Sequence, residues 1–478
     1  MARAAGGGGK LAFMSRQQAV VFVVTWLSYV FVYVARKPVS IVKSSLTSEL
    51  GLSASQLGNV DTAFLLTYTA GSFLGGRLGD LLGERTIIAS SLAVNAAGCA
   101  AFAMAQDYAS ALITWGLCGL AQGCVYPCCL KALGTAFSPA VMGQVTGLWC
   151  TAHYTGGIGG NIGGAWLMQF HGWRAAFATP AALLATMAVG AALLLPAHPG
   201  GGAGGAGKGA PQKQTEIAHV GSVGSAVSDQ RFKRLGNGSD HGGVPVTAAP
   251  QPPISRLLCL PGLAHISGAY FFIKLVRYSC MFWLPFFLSH AMGLGEAAAG
   301  YMATAFDAGG LLGTFSAGWA SDKIMQGRRA STALPLALAT AAAFAVYNWA
   351  FSSTTLLVDV PVLNMLLIGV FGACIAGPDF LLAGPAAQEL ARNGGLPQCT
   401  ATVAGMVDGF GSFGAVMQGA VTSYTTQVYG WSALYTLFSV MLVSTAGLLA
   451  QPAARESRLL RHKIDGDSRR GHEAALPR

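Results

Sequence analysis

The sequence predicts an all-α membrane protein in which twelve transmembrane helices form two related six-helix bundles. Three observations predict it. Hydrophobic types fill 53% of the 478 residues and charged types only 10%, against about 25% charge in a soluble domain. The apolar residues gather into twelve runs, each near the ~20 residues that cross a bilayer core. Sequence patterns at the ends of these runs recur in the two halves of the chain.

The runs lie at about 17–43, 56–76, 86–106, 108–133, 144–168, 173–195, 263–290, 297–320, 331–352, 359–385, 398–427 and 431–451. They set an N-terminal bundle at 17–195 and a C-terminal bundle at 257–451. Residues 196–256 are rich in Gly, Ala, Pro, Ser and Lys without apolar periodicity, and read as a disordered linker. Residues 1–16 and 452–478 read as polar, basic tails, the second of them mobile.

This composition excludes a soluble enzyme. No nucleophile–base pair or metal cluster stands out, so no catalysis, cofactor or metal is expected. The net charge of +10 is first a topology signal, and no nucleic-acid partner is expected. With the N-terminus cytoplasmic, 22 of the 29 basic residues fall inside and only Lys43 and Arg174 outside; Arg36, Lys37, Lys131, Lys274 and Arg277 fall within helices. Both termini are therefore expected in the cytoplasm. The sequon Asn237-Gly238-Ser239 then lies in the cytoplasmic linker and stays unglycosylated. Cys124, Cys128 and Cys129 share one helix and read as small packing residues.

The repeat is local but recurrent. Gly76-Arg77-Leu78-Gly79-Asp80 follows the second run, and Gly318-Trp319-Ala320-Ser321-Asp322-Lys323 follows the eighth, 242 residues later. Gly172-Trp173-Arg174 opens the sixth run and Gly430-Trp431-Ser432 the twelfth. Six helices, a linker and six helices with weak internal symmetry describe a two-bundle transporter.

The charges inside the runs suggest its cargo. Arg36 and Arg277 are 241 residues apart, so they occupy equivalent places in the two bundles, on helices that line the cavity of such a transporter. Each intramembrane cation costs roughly 2.5–3.5 kcal/mol. Arg36, Lys37, Lys274 and Arg277 together cost on the order of 10 kcal/mol, which calls for an anion. Tyr29, Tyr33 and Arg36 follow helical spacing onto one face, and Lys274 and Arg277 share another. Guanidinium forks bind tetrahedral oxyanions bidentately, and tyrosine hydroxyls add donors.

The Gly-x-x-x-Asp loops ending at Asp80 and Asp322 resemble the signature of the major facilitator superfamily. That resemblance implies its fold and gives Asp80, Arg85, Asp322 and Lys323 a charge-pairing, gating role at the cytoplasmic face. Leu81 and Glu84 depart from its pattern. Within that superfamily, Arg36-Lys37-Pro38-Val39-Ser40-Ile41-Val42-Lys43-Ser44, Lys274-Leu275-Val276-Arg277-Tyr278 with Trp283-Leu284-Pro285, Phe306-Asp307-Ala308-Gly309-Gly310 and Asp408-Gly409 resemble the organophosphate:phosphate antiporter family. This family includes eukaryotic sugar-phosphate exchangers and plant-type glycerol-3-phosphate transporters.

The resemblance implies that Arg36 and Arg277 bind phosphate. It gives His153, in Trp149-Cys150-Thr151-Ala152-His153, a substrate contact. It makes Asp307 an acid that could hold Arg277 or Lys274 when the site is empty. Two departures shift weight onto Lys274 and Lys37: the second helix lacks a lysine near Ser72, and Phe282 replaces an acid. Pro127 reads as a kink and Gln122 as structural. Gly156, Gly160 and Gly164 are spaced for close helix contact.

The expected function is therefore antiport of an organophosphate, glycerol-3-phosphate or a hexose phosphate, against inorganic phosphate by a bilayer-embedded monomer. Obligatory exchange would follow if several unpaired cations in the empty cavity slow its reorientation. A carrier for another anion, or a sugar-phosphate sensor on the same fold, are the alternatives. Plasma membrane, endoplasmic reticulum and plastid envelope all remain open as locations.

Overall fold

A computed structural model describes residues 14–137, 145–196, 254–353, 355–396 and 399–474. Residues 197–253 of the expected linker and most of the N-terminal tail fall outside these residues, and the linker's last three residues begin a short helix, Ile254–Leu258. The described chain is helical nearly throughout. The N-terminal bundle holds α1 (Arg16–Arg36), α2 (Ala54–Leu82), α3 (Glu84–Ala103), α4 (Tyr108–Ala136), α5 (Thr151–His171) and α6 (Ala175–Leu194). The C-terminal bundle holds α7 (Leu263–His290), α8 (Glu296–Trp319), α9 (Arg329–Ser353), α10 (Pro361–Leu381), α11 (400–429) and α12 (431–474).

Local chemistry sets the helix ends. Ser15, Ser53 and Asp107 each accept from the backbone three residues on, in capping boxes that start α1, α2 and α4. The first run breaks earlier than its hydropathy suggests. Pro38 has no N–H, and α1 gives way at Lys37 to the short segments Pro38–Ile41 and Lys43–Leu50. At the other end of the chain, α12 continues past the expected boundary at 451 to Ala474. It is anchored there by Glu456, whose carboxylate accepts from the backbone N–H of Ala330 and Ser331 at 2.8 and 2.9 Å. Residues 452–474 are thus helical rather than a loose tail. The hydropathy run ends at 451, but helix formation does not depend on hydropathy.

The sequence repeat is a structural repeat. Gly172 (φ 78°, ψ 169°) and Gly430 (φ 82°, ψ 175°) turn the chain into α6 and α12 through the same conformation, one that is essentially restricted to glycine. Helix pairing repeats as well. Helices α2 and α4 pack as α8 and α10 do, and α3 and α6 as α9 and α12 do. Across the bundles, α2 meets α11 and α5 meets α8, which are equivalent contacts under that symmetry. Gly156 and Gly160 set α5 against α1 at Val30 and Val34. Cys124 and Cys128 donate to the carbonyls of Gly71 and Gly75, both at 3.2 Å, between α4 and α2.

Candidate functional site

A cavity of about 370 Å³ lies between the bundles, large enough for a small metabolite. Tyr29 and Tyr33 of α1, His153 and Tyr154 of α5, Arg277 and Tyr278 of α7, Asp307 of α8 and Asp379 of α10 line its deep part. Gly318, Trp319, Asp322 and Ala383 carry it toward the end of the molecule where the described N-terminal residues and the end of α12 lie.

Arg36 sits behind Tyr33, only 2% exposed. Its guanidinium carbon lies 4.4, 4.8 and 5.2 Å from the ring centres of Tyr33, Tyr68 and Phe64. Its Nε donates to Gln122 Oε1 at 2.9 Å. Its Nη2 is buried without a hydrogen-bond partner among the described residues. Tyr33 and Tyr278 lie near both arginines. Arg277, Lys37 and Arg36 all act on His153, whose ring lies 5.8 Å from Tyr33 and also faces the Cys150 carbonyl. Tyr29 stacks on Trp149 at 4.8 Å.

The other three cations have carboxylate partners, which corrects the expectation of several unpaired charges. Lys37 bridges the bundles to Asp307 at 2.6 Å, where Asn161 also donates at 2.8 Å. Asp307 therefore holds Lys37, rather than Arg277 or Lys274. Arg277 pairs with Asp379. Lys274 pairs with Asp408 at 2.8 Å and reaches Ser412 at 3.3 Å. Burying four cations unpaired would cost too much, and three acids offset all but one. Among the described residues, Arg36 forms no ion pair with a carboxylate.

Asp379 escaped the sequence reading, although an intramembrane acid in Gly377-Pro378-Asp379 is itself a signal. Gln122, read as structural, touches Arg36. Lys43, expected on the outer side at the end of the first run, is buried, 1% exposed.

Comparison with known proteins agrees with this architecture. The model of the Major Facilitator Superfamily matches residues 25–417. The chain belongs to the major facilitator superfamily. It is 31% identical to an Arabidopsis thaliana protein named "Putative glycerol-3-phosphate transporter 2", over 92% of this chain and 87% of that one. It is 28% identical to sugar phosphate exchanger 3 of Gallus gallus (95% and 96% covered) and of Homo sapiens (94% and 95% covered). A solved structure of a bacterial homologue of the human lysosomal transporter Spinster, inward-facing and occupied, shares the fold. Its TM-score is 0.60 at 14% identity, covering 94% of this chain and 97% of that one.

In this facilitator the two signature loops have different surroundings. Asp322 pairs with Arg329 at 2.6 Å, while Lys323 is exposed. The π-helical turn Ala320–Ile324 redirects the chain so that the start of α9 meets the loop. Arg85 is half-buried at the start of α3; the side chain of Asp80 lies outside the described residues.

At the opposite end the bundles are shut. A Cβ on Gly58 or Gly419 would collide with the other's backbone where α2 crosses α11. Ser44 and Ser289 hydroxyls meet at 2.7 Å, and Ser45 donates to Glu296 at 2.6 Å. Between these contacts Lys43 pairs with Asp61 at 2.6 Å, both wholly buried. The Lys43 ammonium lies 3.7 Å from the Trp283 ring centre, and Trp283 and Gln418 face Asp61 from the other bundle.

Proposed function

We propose that this facilitator exchanges an organophosphate for inorganic phosphate by alternating access, with Arg36 and Arg277 holding the phosphate between the bundles. The observation that carries the reading is Arg36: a buried guanidinium whose Nη2 has no hydrogen-bond partner and which has no carboxylate partner among the described residues. A bound anion would supply that counter-charge. The names of the relatives, glycerol-3-phosphate transporter and sugar phosphate exchanger, support the same cargo class.

A phosphate ester carries about −1.5 to −2 charges near neutral pH. It meets Arg36 directly. It competes with Asp379 for Arg277 and with Asp307 for Lys37, where His153, Tyr29, Tyr33 and Lys274 surround it. Breaking the Lys37–Asp307 bridge loosens an ion pair that ties the bundles at mid-depth. Reorientation of the empty carrier leaves Arg36 buried and unmatched, and is therefore slow. The protein acts as a monomer with both termini cytoplasmic, so the conformation described is open to the cytoplasm.

In liposomes holding the purified protein, labelled phosphate will enter only when phosphate or an organophosphate is inside. Equal uptake into empty vesicles rejects the exchanger. Binding of esters without any counterflow marks a sensor instead. Asp307→Asn, which adds Lys37 to Arg36 as a second buried cation without a carboxylate, is expected to slow leak through the empty carrier several-fold. That is measured as phosphate efflux into phosphate-free buffer.

A further inference from the structure

Arg36 is held by a neutral hydrogen-bond relay that crosses three helices. Its Nε donates to Gln122 Oε1 on α4 at 2.9 Å. The Gln122 amide then donates to Asn95 Oδ1 on α3 at 3.3 Å. The Cys99 thiol points at the same Asn95 oxygen from 3.7 Å. Gln122 and Asn95 are both 0% exposed, and the rings of Tyr33, Tyr68 and Phe64 cover the guanidinium.

Each link has one chemical job. With Asn95 Oδ1 accepting, the Gln122 amide has to turn its NH2 toward α3 and its oxygen toward Arg36. That oxygen fixes the Nε edge of the fork. The guanidinium cannot then rotate, and Nη2 stays buried and unpaired. The contrast with the neighbouring cations is informative. Lys37, Lys274 and Arg277 are each oriented by a carboxylate, which also neutralises them. Arg36 is oriented by an amide, which leaves its charge intact.

We propose that Gln122 and Asn95 are positioning residues that fix the Arg36 fork without cancelling its charge, so that its attraction is reserved for the phosphate. This rests on the reading of Arg36 as a phosphate ligand. It predicts an order of variant effects that a packing role cannot give. Gln122→Glu keeps the side-chain size and strengthens the bond to Nε; it gives up the donor to Asn95, whose own unpartnered NH2 can turn toward the new carboxylate in its place. If Gln122 only supports the fold, this variant should be the mildest. If it preserves charge, it should be the most damaging to binding, because the new carboxylate takes the fork.

The test is phosphate self-exchange in proteoliposomes, with thermal unfolding of the same purified variants. Gln122→Glu is expected to raise the half-saturation concentration for phosphate at least tenfold while its unfolding midpoint equals or exceeds that of the parent. Gln122→Met, nearly isosteric and uncharged, should raise half-saturation about threefold, and Asn95→Leu by a similar amount, with maximal rates within twofold of the parent. A Gln122→Glu protein that exchanges with unchanged half-saturation overturns the proposal. So does one that is less stable than the parent or fails to fold, or a Gln122→Met protein that is the worse of the two. Absence of exchange by the parent protein would instead overturn the phosphate reading itself.

Discussion

Arg36→Lys and Arg277→Lys are each expected to lower phosphate exchange by a factor of a hundred or more, although both keep the positive charge. A lysine at 36 offers one ammonium in place of a planar fork. It cannot donate to Gln122, lie between Tyr33 and Tyr68 and present a second edge to a guest at the same time. A hydrogen bond to a charged group contributes roughly 1.5–3 kcal/mol. Loss of the two made by a bidentate fork therefore removes about 3–6 kcal/mol of binding, or two to four powers of ten. At 277 the reasoning has a second part. Asp379 already occupies this cation, so a guest has to displace a carboxylate. A fork can share its edges between Asp379 and phosphate during that exchange, whereas an ammonium is more readily monopolised by the acid. Initial rates in proteoliposomes, with size-exclusion profiles to confirm folding, measure both effects. Lysine variants within tenfold of the parent would show that charge alone suffices and that the two-fork geometry is irrelevant.

The parts of this molecule that were legible in the sequence are those written in short range. Twelve apolar runs follow from hydropathy, because each helix must span the bilayer by itself. The Gly172 and Gly430 turns were visible as Gly-Trp pairs, and the structure gives them one backbone geometry. What stayed hidden is pairing across long separations. Asp379 is 102 residues from Arg277, Gln122 is 86 from Arg36, and Asp307 is 270 from Lys37. A string of residues shows that acids and cations both occur in the membrane, but not which of them meet, because that depends on how helices are rotated about their axes. The burial of Lys43 stayed hidden for the same reason. It lies at the end of an apolar run, and the docking of α7 and α11 near it encloses it.

That burial leads to the second large effect. Lys43 and Asp61 are enclosed only because the two bundles touch at this end, with Trp283 and Gln418 supplied from the C-terminal bundle. When the bundles part there, both charges become hydrated. The desolvation cost of the pair therefore applies to the conformation closed at this face, and the pair helps to set the balance between the two conformations. Removing one partner of a buried ion pair costs about 3–5 kcal/mol, whereas replacing both with apolar groups is often neutral or stabilising by about 1–4 kcal/mol. Asp61→Asn leaves Lys43 uncompensated only when this face is shut, so it should drive the population toward the opposite opening by a hundredfold or more. Lys43→Met with Asp61→Leu should pin the face closed. Both changes slow exchange, but by trapping opposite conformations. Ser44 and Ser289, whose hydroxyls meet at 2.7 Å across the closed face, supply the readout. With cysteines at both positions, oxidative cross-linking should fall in the Asp61→Asn background and rise in the double apolar background. Equal cross-linking in all three would mean that the pair is closed-face packing with no hold on the equilibrium. The opposite ordering would mean that it opens the carrier by some other route than desolvation.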